Sequence, residues 1–193
     1  MENEVRINLL ARIARSAAAP GIPVDPAKPV SILSLAAASY AARPSEDATV
    51  PTGFDPVAVA LFEAIVEGAF LTANADGVFD EDEQRTFERV VVAACGGSVP
   101  PQQIAALVGD LRDQLEEDGI DQRVAMLARG VTKHEHAQEV LRIAALLAQS
   151  NGEVSRIERD VLGRIAGTCG LEKDAVDVAL ADVRAALGAA GAR

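Results

Sequence analysis

Two stretches of this chain follow one plan. FLTANADGVFDEDEQRTFERVVVAACG, residues 70–96, can be laid over LLAQSNGEVSRIERDVLGRIAGTCG, residues 146–170. Gly77 then matches Gly152, Phe79 matches Val154, Asp80 matches Ser155 and Glu83 matches Glu158. Each stretch closes one run of helical period, turns at a glycine and opens another. Asp80 with Glu83, and Ser155 with Glu158, have the spacing of a capping box. The first side chain accepts backbone N–H groups of the first turn, and the Glu reaches back to the cap residue's own N–H. Thr132 with Glu135 has the same spacing. Gly77 and Gly152 are expected to take the left-handed conformation that ends the preceding helix. Phe79 and Val154 are expected to staple onto the helix each introduces. Glu81 and Asp82 suit the positive end of the helix dipole. A duplicated helical hairpin is the simplest account, and it predicts that hairpins 55–95 and 133–169 superpose about a pseudo-twofold axis.

The remaining sequence is helical in pattern too. Residues 3–18 place Val5, Leu9, Ile13 and Ala17 at i, i+4 spacing, with Leu10 beside them. Pro20, Pro23, Pro26 and Pro29 then recur at every third position, which puts their rings on one edge of a polyproline II helix. Such a segment serves as a stiff strut or as a ligand for a proline-reading domain. An Ala-rich helix over about 31–42 and the polar linker RPSEDATVPTG complete an N-terminal extension, residues 1–52. From residue 53 to 193 the pattern gives an all-helical domain. Asp55 caps its first helix and Pro56 fits the first position. That helix runs to about residue 75, with Phe62, Ile65, Val66, Ala69 and Phe70 on its apolar face. Helices over about 80–95, 100–117, 120–131, 133–150, 155–169 and 173–188 follow. No segment shows sustained two-residue alternation rich in β-branched residues. The fold class is therefore all-α: a compact multi-helix domain of two related hairpins, with an N-terminal helical extension.

Composition sharpens this. Aromatic residues are 3% of the 193 and Trp is absent, so Ala, Leu, Val and Ile must fill the core. Residues 1–50 hold five basic and five acidic groups, whereas residues 51–193 hold 13 basic and 24 acidic, the whole net charge of −11. Such a surface repels nucleic-acid phosphates and anionic lipid headgroups. It favours cations, or protein partners with a basic patch. No targeting segment or membrane span is evident, since the longest uncharged run, Val90–Gly109, is broken by Gly-Gly-Ser and Pro-Pro. These features point to a cytoplasmic protein without direct membrane insertion.

Enzyme signatures are missing. Cys95 and Cys169 form no CxxC or Cys–His spacing and read as small buried residues. His134 and His136 lie two apart on a helix start, so they diverge and cannot share a metal. HExxH, the Glu-x-x-His of di-iron bundles, GxSxG, GxxxxGK[ST] and GxGxxG are all absent. No catalytic residue is proposed.

One stretch carries a ligand reading beside the structural one. In a twelve-residue calcium loop with Gly77 at the sixth place, Asn74, Asp76, Asp80 and Glu83 fall at the third, fifth, ninth and twelfth places, and Phe79 at the eighth. The first place, normally Asp, is Thr72. The second repeat has Leu147 first, with Gln149, Asn151 and Ser155 as weak ligands, and keeps Glu158. Upstream, Glu63 and Glu67 form a like-charge i, i+4 pair that is costly unless neutralised. Together with Asp76 and Asp80 they would make one acidic surface pocket. Oxygen ligands favour Ca²⁺, Mg²⁺ or Mn²⁺.

At this point a resemblance emerges. Ala75-Asp76-Gly77, then Phe79, then an acid-rich helix start with Glu83, is similar to the TerB (tellurite resistance) family. The pattern also occurs in the membrane-distal domain of some J-domain co-chaperones; no His-Pro-Asp triplet is present here. SNGEVSRIERDVLGRIAGTCGL resembles the family's second signature, with Asn151-Gly152 where Asp-Gly is common. The resemblance covers about residues 55–190. It implies an all-helical domain, acidic on one surface and without enzymatic activity, in stress-response or membrane-associated signalling assemblies, with metal or oxyanion stress as the context. It also marks Asp76, Asp80 and Glu83 as suspected cation ligands. Three functions follow as expectations: a TerB-like protein-interaction module, a divalent-cation sensor using the 72–83 loop, or a structural adaptor.

Overall fold

The computed structural model describes residues 2–16, 30–42, 55–149 and 152–191. The proline strut, the polar linker and Asn151 lie outside these. The described residues form helices α1 (Glu2–Ala14), α2 (Ile32–Ala41), α3 (Pro56–Ala73), α4 (Glu81–Ala94), α5 (Pro101–Asp118), α6 (Ile120–Gly130), α7 (His134–Ala148), α8 (Arg156–Thr168) and α9 (Ala175–Gly191), and no strand. The all-α expectation holds, and from α2 to α9 nearly every expected boundary falls within about two residues of the helix found, the usual play at helix ends.

The molecule is organised around α3 and α7, the first helices of the two hairpins, which make the most extensive helix–helix contact. α2 covers α3, α9 covers α7, and α4 packs between α1 and α5. α8 closes the bundle against α3, α6, α7 and α9. Every residue from Ala64 to Thr72 is buried, so α3 has no solvent face over that stretch. A helix that is apolar all round belongs in an interior. By length and composition α3 could cross a membrane, although Glu63 and Glu67 interrupt its apolar run. Here 67% of its residues are buried by other helices.

Gly68 sets the distance between the two central helices. A Cβ built on it would stand 2.8 Å from Val140 Cγ1 of α7. Real Cβ atoms do not come that close, so the missing methyl allows the approach.

The N-terminal helices enter the same hydrophobic cluster as the rest. Tyr40 of α2 is 2% exposed, with its ring centroid 4.7 Å from that of Phe62. The face of α1 is not the expected one. Ile7, Leu10, Ala11 and Ala14 are buried together with Ile13, while Val5 is 67% exposed. The stripe that packs is thus i, i+3, i+4, i+7 counted from Ile7, which spreads over a wider arc than a row of i, i+4 steps. Ala17 lies outside the described residues. Arg142 of α7 fixes the end of α1: its Nη2 donates to Ala14 O at 2.7 Å and its Nη1 to Ile13 O at 3.3 Å. The guanidinium is held in turn by buried Glu139, at 2.8 and 2.9 Å. Arg15 reciprocates by donating to Ala93 O at the end of α4.

Gly68→Ala should destabilise the protein by about 1–3 kcal/mol, the usual cost of overpacking a filled core. Helix propensity alone would favour Ala by about 1 kcal/mol. Urea unfolding decides between the two: a raised midpoint would show that the central contact tolerates the methyl.

Candidate functional site

The seam between α3 and α4 is built as a cap. Asp80 Oδ1 accepts from Asp82 N and Glu83 N, both at 2.9 Å, and Glu83 Oε2 accepts from Asp80 N at 3.1 Å. The second seam repeats it, with Glu158 N donating to Ser155 Oγ at 3.1 Å and Ser155 N to Glu158 Oε2 at 2.7 Å. The third expected box does not form. α7 starts at His134 with Lys133 as its cap, so Glu135 falls at the second helical position, where the reciprocal reach fails.

Gly77 and Gly152 both take the expected positive φ, but three residues beyond the C-caps Asn74 and Gln149 and not at the helix ends themselves. α3 ends at Asn74, and Gly77 follows three residues later with φ +77°. Its N–H closes a turn onto Asn74 O at 3.0 Å. Gly152 has φ +125°, a region essentially confined to glycine. Phe79 packs onto the helix it introduces, as expected, through Phe87 of α4. It packs edge-on to Phe70 and Phe87, with centroids at 5.6 and 6.0 Å, and Phe70 and Phe87 complete the triad at 6.3 Å.

Beyond the Asp80–Glu83 capping box, the other residues of the ligand reading are engaged in local bonds of their own. Asn74 Nδ2 donates to Phe70 O at 3.0 Å, and Asp76 Oδ1 accepts from Val78 N at 3.0 Å. Thr72, at the loop's first place, is fully buried and donates its hydroxyl to Gly68 O at 2.8 Å. Among the described residues no three His, Cys, Asp or Glu side chains are grouped so that they could hold a metal ion.

Glu67 is not part of an acidic surface pocket with Glu63, Asp76 and Asp80. Only 7% exposed, it meets Arg123 of α6 through Nε and Nη2, both 2.7 Å from Oε1. Arg123 Nη1 also reaches Asp118 Oδ2 at the end of α5, at 3.1 Å. Burial raises the Glu67 pKa above its ordinary value, against the lowering effect of the Arg123 hydrogen bond and charge. The physical reason is that α3 is enclosed around Glu67, so its i, i+4 pair cannot share one solvent face. The like-charge pair is answered by a cation from another helix. Arg123 carried a faint signal in the sequence, because it interrupts the apolar stripe Ile120, Val124 and Leu127 of α6.

Above the aromatic triad lies a cleft of about 300 Å³. Phe79, Phe87, Val90 and Leu147 line it on the apolar side, and Asp80, Asp82 and Glu83 on the acidic side. The two cysteines offer no chemistry there. Burial pushes the Cys95 thiol up to about 12 and raises that of Cys169. His134 is exposed, 3.9 Å from the Glu172 carboxylate, and burial lowers the pKa of His136.

The sequence matches the family described as tellurite resistance protein TerB over residues 62–181. The chain belongs to the TerB family. No curated protein and no solved structure matches it. The TerB match begins within α3 and ends within α9, leaving α1 and α2 outside although both help to build the core.

Asp80→Ala and Ser155→Ala should each cost about 0.5–2 kcal/mol as lost N-caps, while Glu83→Gln keeps most of the cap because Gln still accepts the N–H bond. Unchanged melting midpoints in both Ala variants would contradict this. Glu67→Ala leaves buried Arg123 with Asp118 alone and should cost up to about 3–5 kcal/mol, whereas replacing the Glu67–Arg123 pair by Leu and Met should recover most of the loss. A double variant no more stable than Glu67→Ala would show that the pair does not act as a unit.

Proposed function

We propose that this TerB-family protein is a non-enzymatic, cytoplasmic interaction module of a stress response, with tellurite or metal stress as its setting. Its partner is a protein with a basic patch. The observation that carries this reading is the solvent face of α5. Asp110, Asp113, Glu116 and Glu117 are all exposed there, and three of them, at i, i+3 and i+7, form one stripe. None of the four enters an ion pair among the described residues. Arg112, the one basic residue of α5, turns to Gln84 of α4 instead. The stripe therefore keeps its charge. It opposes phosphate-rich partners and attracts basic ones, raising the rate of encounter as well as its selectivity.

The inward-facing charges support the same reading from the other side. Glu67, Arg123, Glu139 and Arg142 are held in ion pairs or helix caps within the fold, where they position helices.

Deletion of the gene in its own organism, followed by growth in tellurite, tests the proposal. Wild type should restore growth, and Asp110→Lys/Asp113→Lys/Glu117→Lys should not, with an unchanged circular dichroism melt showing that the variant folds. Full rescue by the variant would eliminate the acidic stripe as the contact surface. Deletion without effect on growth would eliminate the stress role.

A further inference from the structure

We infer that the cleft beside the α3–α4 seam is where the partner anchors, and that its occupant is a short protein segment presenting an arginine or lysine next to an aliphatic side chain. This rests on the reading of the protein as an interaction module, and adds the place and chemistry of the contact.

Size limits the occupant first. At about 300 Å³ the cleft is at the small end of the range for ligand sites, room for one or two side chains. Its lining then selects them. Phe79, Phe87, Val90 and Leu147 give an apolar wall that an aliphatic side chain, or the stem of an arginine, would cover. Phe79 is only partly buried, so its ring is available to a guanidinium lying across it. The charged side chains lining the cleft are all acidic, Asp80, Asp82 and Glu83, beside the neutral Thr86.

The acids are also arranged for a cation. Asp82 shares its charge with Arg85, 2.7 Å away, which is held on the outer face with Glu81 and stays out of the cleft. Asp80 and Glu83 have no such partner among the described residues. The capping box instead fixes both side chains in place, so little conformational freedom is lost on binding. It engages Asp80 Oδ1 and Glu83 Oε2, leaving Asp80 Oδ2 and Glu83 Oε1 to accept from an incoming guanidinium or ammonium group. The seam thus has two uses from one pair of residues: an oxygen of each caps α4, and the other faces a partner.

The test uses the full chain and labelled short helical peptides of three compositions: Arg with Leu, Glu with Leu, and Arg with Ser. Fluorescence anisotropy gives affinities, and the ring resonances of Phe79 and Phe87 report the place of binding. The Arg/Leu peptide should bind about ten-fold or more tightly than either control. Asp80→Asn/Glu83→Gln keeps the cap chemistry but removes both charges, and should weaken that peptide by about ten-fold or more. Thr86→Trp, which fills the cleft from a partly buried position, should do the same without changing charge. Equal binding of the Arg/Ser peptide would overturn the proposal by showing charge attraction alone. Ring shifts produced by Ca²⁺ or Mn²⁺ but not by any peptide would overturn it in favour of an ion. If the cleft variants bind normally while reversal of the α5 stripe still abolishes rescue in tellurite, the cleft proposal fails and the module reading stands. If the cleft variants lose the peptide and yet deletion of the gene has no effect on growth, the cleft proposal stands and the stress role fails.

Discussion

The close approach of α3 and α7 at Gly68 is the contact on which the other helices depend. Without a side chain there, Val140 of α7 can settle against the backbone of α3, and the two apolar helices share a long interface. Everything else is layered on that pair. α2 and α9 cover its outer flanks, and α8 and α6 close one side. Because aromatics are scarce, close backbone packing replaces bulky side chains as the source of contact area. The exception is the cluster of Phe70, Phe79 and Phe87, where α3 must turn away into α4 and leaves space that small residues would not fill.

Enclosing α3 so completely traps a carboxylate, and the fold answers with a cation from α6. The same device occurs at Arg142, whose guanidinium is gripped by Glu139 and directed at the last carbonyls of α1. An arginine suits this position because its planar fork can accept orientation from a carboxylate on one side and donate to backbone oxygens on the other. Both arginines tie together helices that are distant in sequence. Removing one partner leaves a buried charge, and for that reason such ion pairs specify an arrangement more than they stabilise it.

The tie to α1 matters for how the TerB fold is delimited. The matched residues 62–181 start partway along α3, yet α1 and α2 supply Leu10, Leu33, Ala37 and Tyr40 to the common core. In this protein the two N-terminal helices complete the surfaces of α4, α7 and α3 that the matched region would leave uncovered.

The sequence by itself determined the helices, the all-α class and two capping boxes. These are local matters: apolar periodicity, the φ +77° that Gly77 tolerates, and side chains three residues apart that reach each other's backbone whatever surrounds them. It missed where local cues conflict, as at Thr132, where a shift of one residue in the start of α7 removed the reciprocal bond. Only the tertiary structure decided which face of α1 is buried, since that depends on where α4 and α7 stand. It alone moved Glu67 from a presumed surface to the interior and brought Arg123, 56 residues away in the chain, to meet it. And it alone joined Leu147 of one hairpin to Phe79 and Phe87 of the other, making a cleft from residues that no spacing relates. Periodicity fixes which side of a helix is apolar, but burial of a charge or formation of a cleft depends on the neighbouring helix, whose position is a property of the whole packed chain.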